Sequence, residues 1–152
     1  MTLLDAREYR PEKERWKKIR IIAAVLVVVI LALTGWFNRF WPEKRMADIF
    51  FSSLQKQDFE TAYGIYFHDA DWKEHPQKHA QYPFNEFKAD WGPGGEWGII
   101  KSYKIFGESN CPGGGSGVVI DVVVNNRAEH AQVYVDKSDK TISTPPCGLE
   151  FR

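Results

Sequence analysis

Residues 21–37 read IIAAVLVVVILALTGWF, 17 residues without a charge, and only Thr34 and Gly35 among them are not apolar. No helical period gives this run a polar face, so it does not suit the amphipathic helix of a water-soluble core. As a helix it spans about 25 Å at 1.5 Å per residue, slightly short of a hydrocarbon layer of roughly 30 Å. The flanks supply the difference. Trp16, Lys17, Lys18 and Arg20 stand at one boundary, with Arg20 placed to snorkel, and Trp36 and Trp41 stand at the other, where interfacial side chains belong. The run is therefore expected to be a transmembrane helix, and the rest of the chain is read from it.

Residues 1–20 form a basic leader. Seven Lys/Arg against four Asp/Glu leave it at 7 − 4 = +3, whereas only Arg39, Lys44 and Arg45 follow the apolar run within ten residues. This bias predicts a cytoplasmic N-terminus and an exoplasmic C-terminal domain, periplasmic in a bacterium. The competing reading is a cleaved signal peptide. The run exceeds the usual apolar core of roughly 7–15 residues, and Ala32-Leu33-Thr34-Gly35-Trp36 is a poor cleavage site, which favours an uncleaved signal-anchor. The leader's mixed charge suits topology determination better than a specific grip on anionic lipid or a cytosolic partner.

Pro42 ends the apolar helix or turns the chain, residues 38–45 read as a short tether, and residues 46–152 as one domain with one core. Twenty basic residues balance twenty acidic ones, which gives no basic field for nucleic acid. Six Trp and a 14% aromatic share argue against disorder.

The domain begins with helical patterns. Ala47, Phe50, Phe51 and Leu54 follow the i, i+3, i+4, i+7 rule. Asp58 is an N-cap for a second short helix over 59–66, with Phe59, Ala62, Tyr63 and Tyr66 on one face. Residues 67–82 are polar and read as a solvated loop. Pro83 opens a third helix carrying Phe84, Phe87 and Trp91, and Gly92-Pro93-Gly94-Gly95 ends it. The period then changes to two. Strands are expected over 99–106, 118–124, 131–135 and from 141 onward, the last interrupted by Pro145-Pro146 and ending near Phe151. Helices first and a strand meander afterwards define an α+β fold, with helices packed on a curved antiparallel four-stranded sheet.

The entry MADIFFSSLQKQDFETAYGIY, the Phe-rich third helix and the strand opening Gly98-Ile99-Ile100-Lys101-Ser102-Tyr103 resemble the nuclear-transport-factor-2-like, or cystatin-like, superfamily of α+β cones. The resemblance covers about residues 45–152 and rests on fold-level patterns. It implies an α+β cone with an open end as the place for a protein partner or small ligand, and leaves open whether the cone holds a pocket. Superfamily members include isomerases, dehydratases and protein-interaction modules. Cys111 and Pro145-Pro146-Cys147 depart from the general pattern.

Two cysteines outside the cytoplasm favour a disulfide, Cys111 to Cys147, over free or metal-binding thiols. Pocket-lining candidates are Tyr63, Tyr66, Phe87, Trp91 and Tyr103, although aromatics at such spacings more often fill cores. His75 and His79 have the i, i+4 spacing of zinc ligands, but Pro76, Lys78 and the missing Glu favour a solvated loop. Asp121 shares a strand face with Val119 and Val123, away from the apolar face of Val118, Ile120, Val122 and Val124. It therefore points away from the helices, out of place for a general base inside a cone. No catalytic residue, metal site or cofactor is assigned. The expectation is a single-pass, membrane-anchored, non-catalytic domain that binds a protein partner or small ligand outside the cytoplasm, its other partner being the lipid bilayer. The alternatives are an isomerase or hydratase with a pocket in the cone, and an assembly or scaffold protein of a membrane complex.

Overall fold

The computed structural model describes residues 11–112 and 114–148. The chain divides into two compact units, Met1–Arg39 and Phe40–Arg152.

The first unit holds helix α1, Pro11–Phe37. Its 27 residues give a length of about 40 Å. One 18-residue window reaches a mean hydropathy of 2.5, and none of that window is buried. Thr34, the one hydroxyl in the run, donates back to the Ile30 carbonyl at 2.8 Å, so its polarity is consumed within the helix. Asn38 closes the last turn by donating Nδ2 to the Thr34 carbonyl at 2.9 Å. The Arg39 guanidinium lies 4.5 Å from the centre of the Trp36 ring.

The second unit opens with α2, Trp41–Gln55. The tether expected over 38–45 is therefore shorter than its sequence suggested, because 41–45 are helical. Pro42 lies in the first turn, where a missing N–H costs nothing, and so starts a helix here. Ala47, Phe50, Phe51 and Leu54 are all essentially inaccessible. Helix α3, Phe59–Tyr66, is capped by Asp58, whose carboxylate accepts from the Thr61 N–H at 3.1 Å. Hydrogen bonding from the Thr61 side chain first, and from its backbone N–H second, holds the Asp58 carboxyl below its ordinary range. Helix α4, Phe84–Trp91, follows Pro83 and buries Phe87 completely.

Four strands form an antiparallel meander in the order β1 (Tyr103–Ser109), β2 (Gly117–Val124), β3 (His130–Asp136) and β4 (Ile142–Ser143). Val118, Ile120, Val122 and Val124 join Ala131, Val133, Val135 and Ile142 in one core with the aromatics of α2, α3 and α4. The β2–β3 register is unbroken, and the sheet's one irregularity falls in β1 between Ile105 and Gly107. The alternation along β2 therefore holds as its sequence implies.

Strand β1 starts four residues later than the pattern at 99–106 suggested. Side chains have taken the backbone groups of that segment. Asn125 Oδ1 accepts from the Lys101 and Ser102 N–H groups at 2.7 and 3.2 Å, and Asn125 Nδ2 donates to the Ile99 carbonyl at 2.9 Å. Gln55 donates to the Lys101 carbonyl at 2.7 Å. An amide competing for the backbone in this way displaces a strand ladder. Asn125 can do so because it and Asn126 adopt positive φ, 53° and 54°, in the turn after β2. At the other end, Pro145-Pro146 follow β4 closely and supply no N–H for pairing, so this strand is two residues long. The expected continuation to Phe151 lies outside the described residues.

The face of the sheet away from the helices carries a second, small cluster of Cys111, Val119, Tyr134 and Cys147. Cys111 and Cys147 are disulfide-bonded, with Cα atoms 5.9 Å apart. Tyr134 lies over Gly117 and accepts its backbone N–H at the phenol oxygen, 2.6 Å away.

Candidate functional site

A cleft of about 760 Å³ opens between the α3–α4 side and the β3–β4 edge. Tyr66 and Phe67 at the end of α3, Tyr82 before α4, Trp91 at its end and Trp97 beyond the glycine turn form its aromatic wall. Val133, Thr141, Ile142, Ser143 and Thr144 bring the sheet edge to it, and Lys78, His79, Gln81, Asp90 and Glu96 are its polar lining. The three rings nearest α3 touch one another at non-parallel angles. Tyr66 and Phe67 have centroids 5.1 Å apart at 76°, and Tyr66 and Tyr82 lie 5.6 Å apart at 49°.

One polar corner of the cleft is a closed cluster. Asp69 is 9% exposed and His79 6% exposed. His79 Nε2 meets Asp69 Oδ2 at 3.0 Å, and Lys78 Nζ reaches the same oxygen at 3.2 Å. His75 Nδ1 lies 3.5 Å from it. The His79 hydrogen bond, aided by Lys78 and opposed by desolvation, holds the Asp69 carboxyl down at about 2. The His79 ring lies 4.2 Å from the Phe67 ring centre and 6.1 Å from that of Tyr63. Residues 67–82 are thus not a wholly solvated loop. Trp72 stacks on Phe84 at 5.0 Å, and the Tyr63 hydroxyl donates to the Tyr82 carbonyl at 2.7 Å. His75 and His79 converge on a carboxylate already neutralised by Lys78. Among the described residues, no group of three or more His, Cys, Asp or Glu is placed to hold a metal ion.

The opposite polar corner is built differently. Tyr82 donates its hydroxyl to Asp90 Oδ2 at 2.8 Å. Burial, followed by this bond and the Asp90 charge, raises the Tyr82 pKa far above the phenol range. Burial first and Asp90 second raise that of Tyr66. Both phenols therefore keep their protons at neutral pH. Among the described residues, neither Asp90 nor Glu96 forms an ion pair with a Lys, Arg or His.

Of the aromatics named from sequence, Tyr66 and Trp91 line this cleft, while Tyr63 and Phe87 lie in the core, at 2% and 0% exposure. Tyr103 stacks on Phe51 at 5.8 Å and donates to Asp48 Oδ1 at 2.8 Å, outside the cleft. Trp16, Trp36 and Trp41 are exposed, as are Lys17, Lys18 and Arg20. Sequence reasoning missed Tyr82, Asp90, Glu96 and His79 as cleft residues. A local signal existed for two of them: Asp90-Trp91 and Glu96-Trp97 repeat an acid–Trp pair on either side of the glycine turn.

A second constellation lies on the far face of the sheet. Asp121 points away from the helices, as its phase in β2 requires, yet is only 1% exposed. His130 Nδ1 meets Asp121 Oδ2 at 2.5 Å, and Gln132 Nε2 donates to Oδ1 at 3.2 Å. Phe106 packs edge-on to the His130 ring with centroids 4.9 Å apart. Both carboxylate oxygens are thereby occupied by side chains of the neighbouring strand, and β3 holds this carboxylate in place.

Fold and site together define an α+β domain with one helical layer, a disulfide on the opposite face of its sheet and an aromatic cleft at one sheet edge. No family model, curated protein or solved structure matches this chain.

Proposed function

We propose that the chain is a single-pass membrane protein whose α+β domain stands outside the cytoplasm as a non-catalytic binding module. The exposed apolar window of α1 carries this reading. In water, 18 such residues with no burial would stand at a large free-energy cost, which a bilayer removes. The basic leader sets the orientation, and the Cys111–Cys147 disulfide suits an oxidising compartment. The helices-then-meander order suits a cone of the nuclear-transport-factor-2-like kind. Binding is favoured over catalysis because Phe50, Phe51, Tyr63 and Phe87 fill the space between helices and sheet. The cleft outside that core is where a ligand or a protein partner docks.

The test uses the full chain in its own membranes. Alkaline carbonate should leave it in the membrane pellet, and protease added to the outside of intact cells (or of spheroplasts, if the host has an outer membrane) should remove the domain. Extraction into the carbonate supernatant, or a domain protected from outside protease and cut only after lysis, would overturn the reading.

The enzyme alternative has one observation in its favour, the buried carboxylate–imidazole pair Asp121–His130. It lies on the sheet face away from the helices and outside the cleft's polar lining of Asp90, Glu96 and His79. His130→Gln would separate the two readings, because a binding module should retain its ligand after that change.

A further inference from the structure

We propose that the cleft at the β3–β4 edge binds an organic ammonium ion with apolar substituents, of the choline type, as a free solute or as a lipid headgroup. The first observation is charge. Lys78 lines the cleft, but Asp69 takes it up at 3.2 Å together with His79. Asp90 and Glu96 line the same cleft with no cationic partner among the described residues. Among the described residues the Asp90 carboxylate accepts a side-chain hydrogen bond only at Oδ2, from the neutral Tyr82 hydroxyl. The cleft therefore presents net negative charge to whatever enters.

The second observation is the wall. Tyr66, Tyr82 and Trp91 line the cleft and are half-buried, so each stays partly accessible while its position is fixed by packing. Trp91 is locked edge-on to Phe50 and Phe51, with centroids 5.1 and 5.9 Å away. Ring faces carry negative electrostatic potential, and fixed rings beside carboxylates are the chemistry that recognises quaternary ammonium groups. The ring faces offer a hard, strongly hydrated cation little in exchange for its water. A methylated ammonium loses less hydration and gains apolar contact. Arg127 lies 5.8 Å from the Trp97 ring centre and donates to the Glu96 carbonyl at 2.8 Å. It does not line the cleft, so it leaves both carboxylates there unneutralised. At about 760 Å³ the space lies within the range of small-molecule sites.

This assignment rests on the cleft being the binding site, while topology is read separately by protease and carbonate, so either can fail without the other. The full chain is purified in a maltoside detergent and titrated with choline by equilibrium dialysis and by tryptophan fluorescence. The neutral isostere 3,3-dimethylbutan-1-ol serves as the comparison. Saturable choline binding is expected, with the isostere at least about tenfold weaker. Asp90→Asn combined with Glu96→Gln should weaken choline by about tenfold while leaving the near-UV dichroism unchanged. The amide oxygen that Asp90→Asn introduces can still accept the Tyr82 hydroxyl, so the wall is retained. Glu60→Gln combined with Glu74→Gln, outside the cleft, should leave binding unchanged. In nanodiscs, loss of choline binding in phosphatidylcholine but not in phosphatidylglycerol would name the headgroup as the source, and equal binding in both would name a free solute. Absence of saturation, equal affinity for the isostere, or an unchanged Asp90/Glu96 double variant would overturn the proposal.

Discussion

Removing the disulfide should cost this domain much of its stability. Cys111 precedes β2 and Cys147 follows β4, so the bond closes a loop of 36 residues that contains three of the four strands. In the chain-entropy description, cross-linking lowers unfolded-state entropy by about 2.1 + 1.5R ln 36, or roughly 13 cal/mol/K, which is about 4 kcal/mol at 25 °C. Packing adds a smaller term. Cys111 is 7% exposed and shares its cluster only with Val119, Tyr134 and Cys147. Among the described residues no helix joins that cluster, and its few apolar contacts cannot replace the covalent tie.

The measurement is urea unfolding of the full chain in detergent, oxidised and after substitution of both cysteines by Ala, followed by far-UV dichroism. At an m-value of about 1.5 kcal/mol per molar, the midpoint should fall by about 2.5 M. A fall below about 0.5 M would refute the reasoning. It would mean that the strands hold together without the cross-link, and that the far-face cluster is a larger core than its members indicate.

Other expectations follow from single contacts. Phe87→Ala empties a fully buried ring site among Phe50, Tyr63 and Tyr66 and should cost about 3–5 kcal/mol by the same unfolding assay. Asp58→Ala removes the cap of α3 and should cost about 1 kcal/mol, whereas Asp58→Asn should cost less. Gly117→Ala places a Cβ 2.4 Å from the Val135 carbonyl and 2.6 Å from the Tyr134 ring, so the hairpin must shift and amide exchange at Gly117 should quicken. Asp69 is held at about 2 against an ordinary 3.8, a depressed carboxylate. Its contribution is whole above the unfolded value and is lost as pH falls from about 4 towards 2. Asp69→Asn should therefore flatten the acid arm of a stability–pH curve, and an unchanged arm would count against the cluster.

What was legible in the sequence was what is specified locally. Asp58, Pro83 and the Gly92-Pro93-Gly94-Gly95 run punctuate α3 and α4 within a few residues of where the elements begin and end. The phase of β2 placed Asp121 on the far face because a strand has period two and no bulge interrupts β2. What was not legible depends on residues distant in the chain. The late start of β1 is imposed by Gln55 and Asn125, 46 and 24 positions from Lys101. The burial of Asp69 and His79 depends on their meeting each other against Phe67, which a polar composition conceals. Pro42 was ambiguous in principle, since the same ring ends one helix and opens another. The cleft fell between these cases. Its rings were partly anticipated, but its carboxylates flank a turn that reads only as a helix stop.

The two faces of the sheet explain why the domain needs both a staple and a buried charge. Three short helices form one layer, enough to cover the side of Ile120 and Val122 and no more. The other side must be finished without a second layer. Near the Gly117 end of β2 this is done by Tyr134 and the disulfide. Further along, Asp121 sits where an apolar side chain would need a cover that no helix among the described residues supplies. His130 and Gln132 provide that cover themselves, and each contributes a hydrogen bond in doing so. A carboxylate satisfied on both oxygens by the adjacent strand also fixes register, because a slip of one residue would send both partners to the opposite face. On this account Asp121 acts in the architecture of the sheet, and the proposed recognition falls to Asp90 and Glu96 at the cleft, which form no ion pair among the described residues.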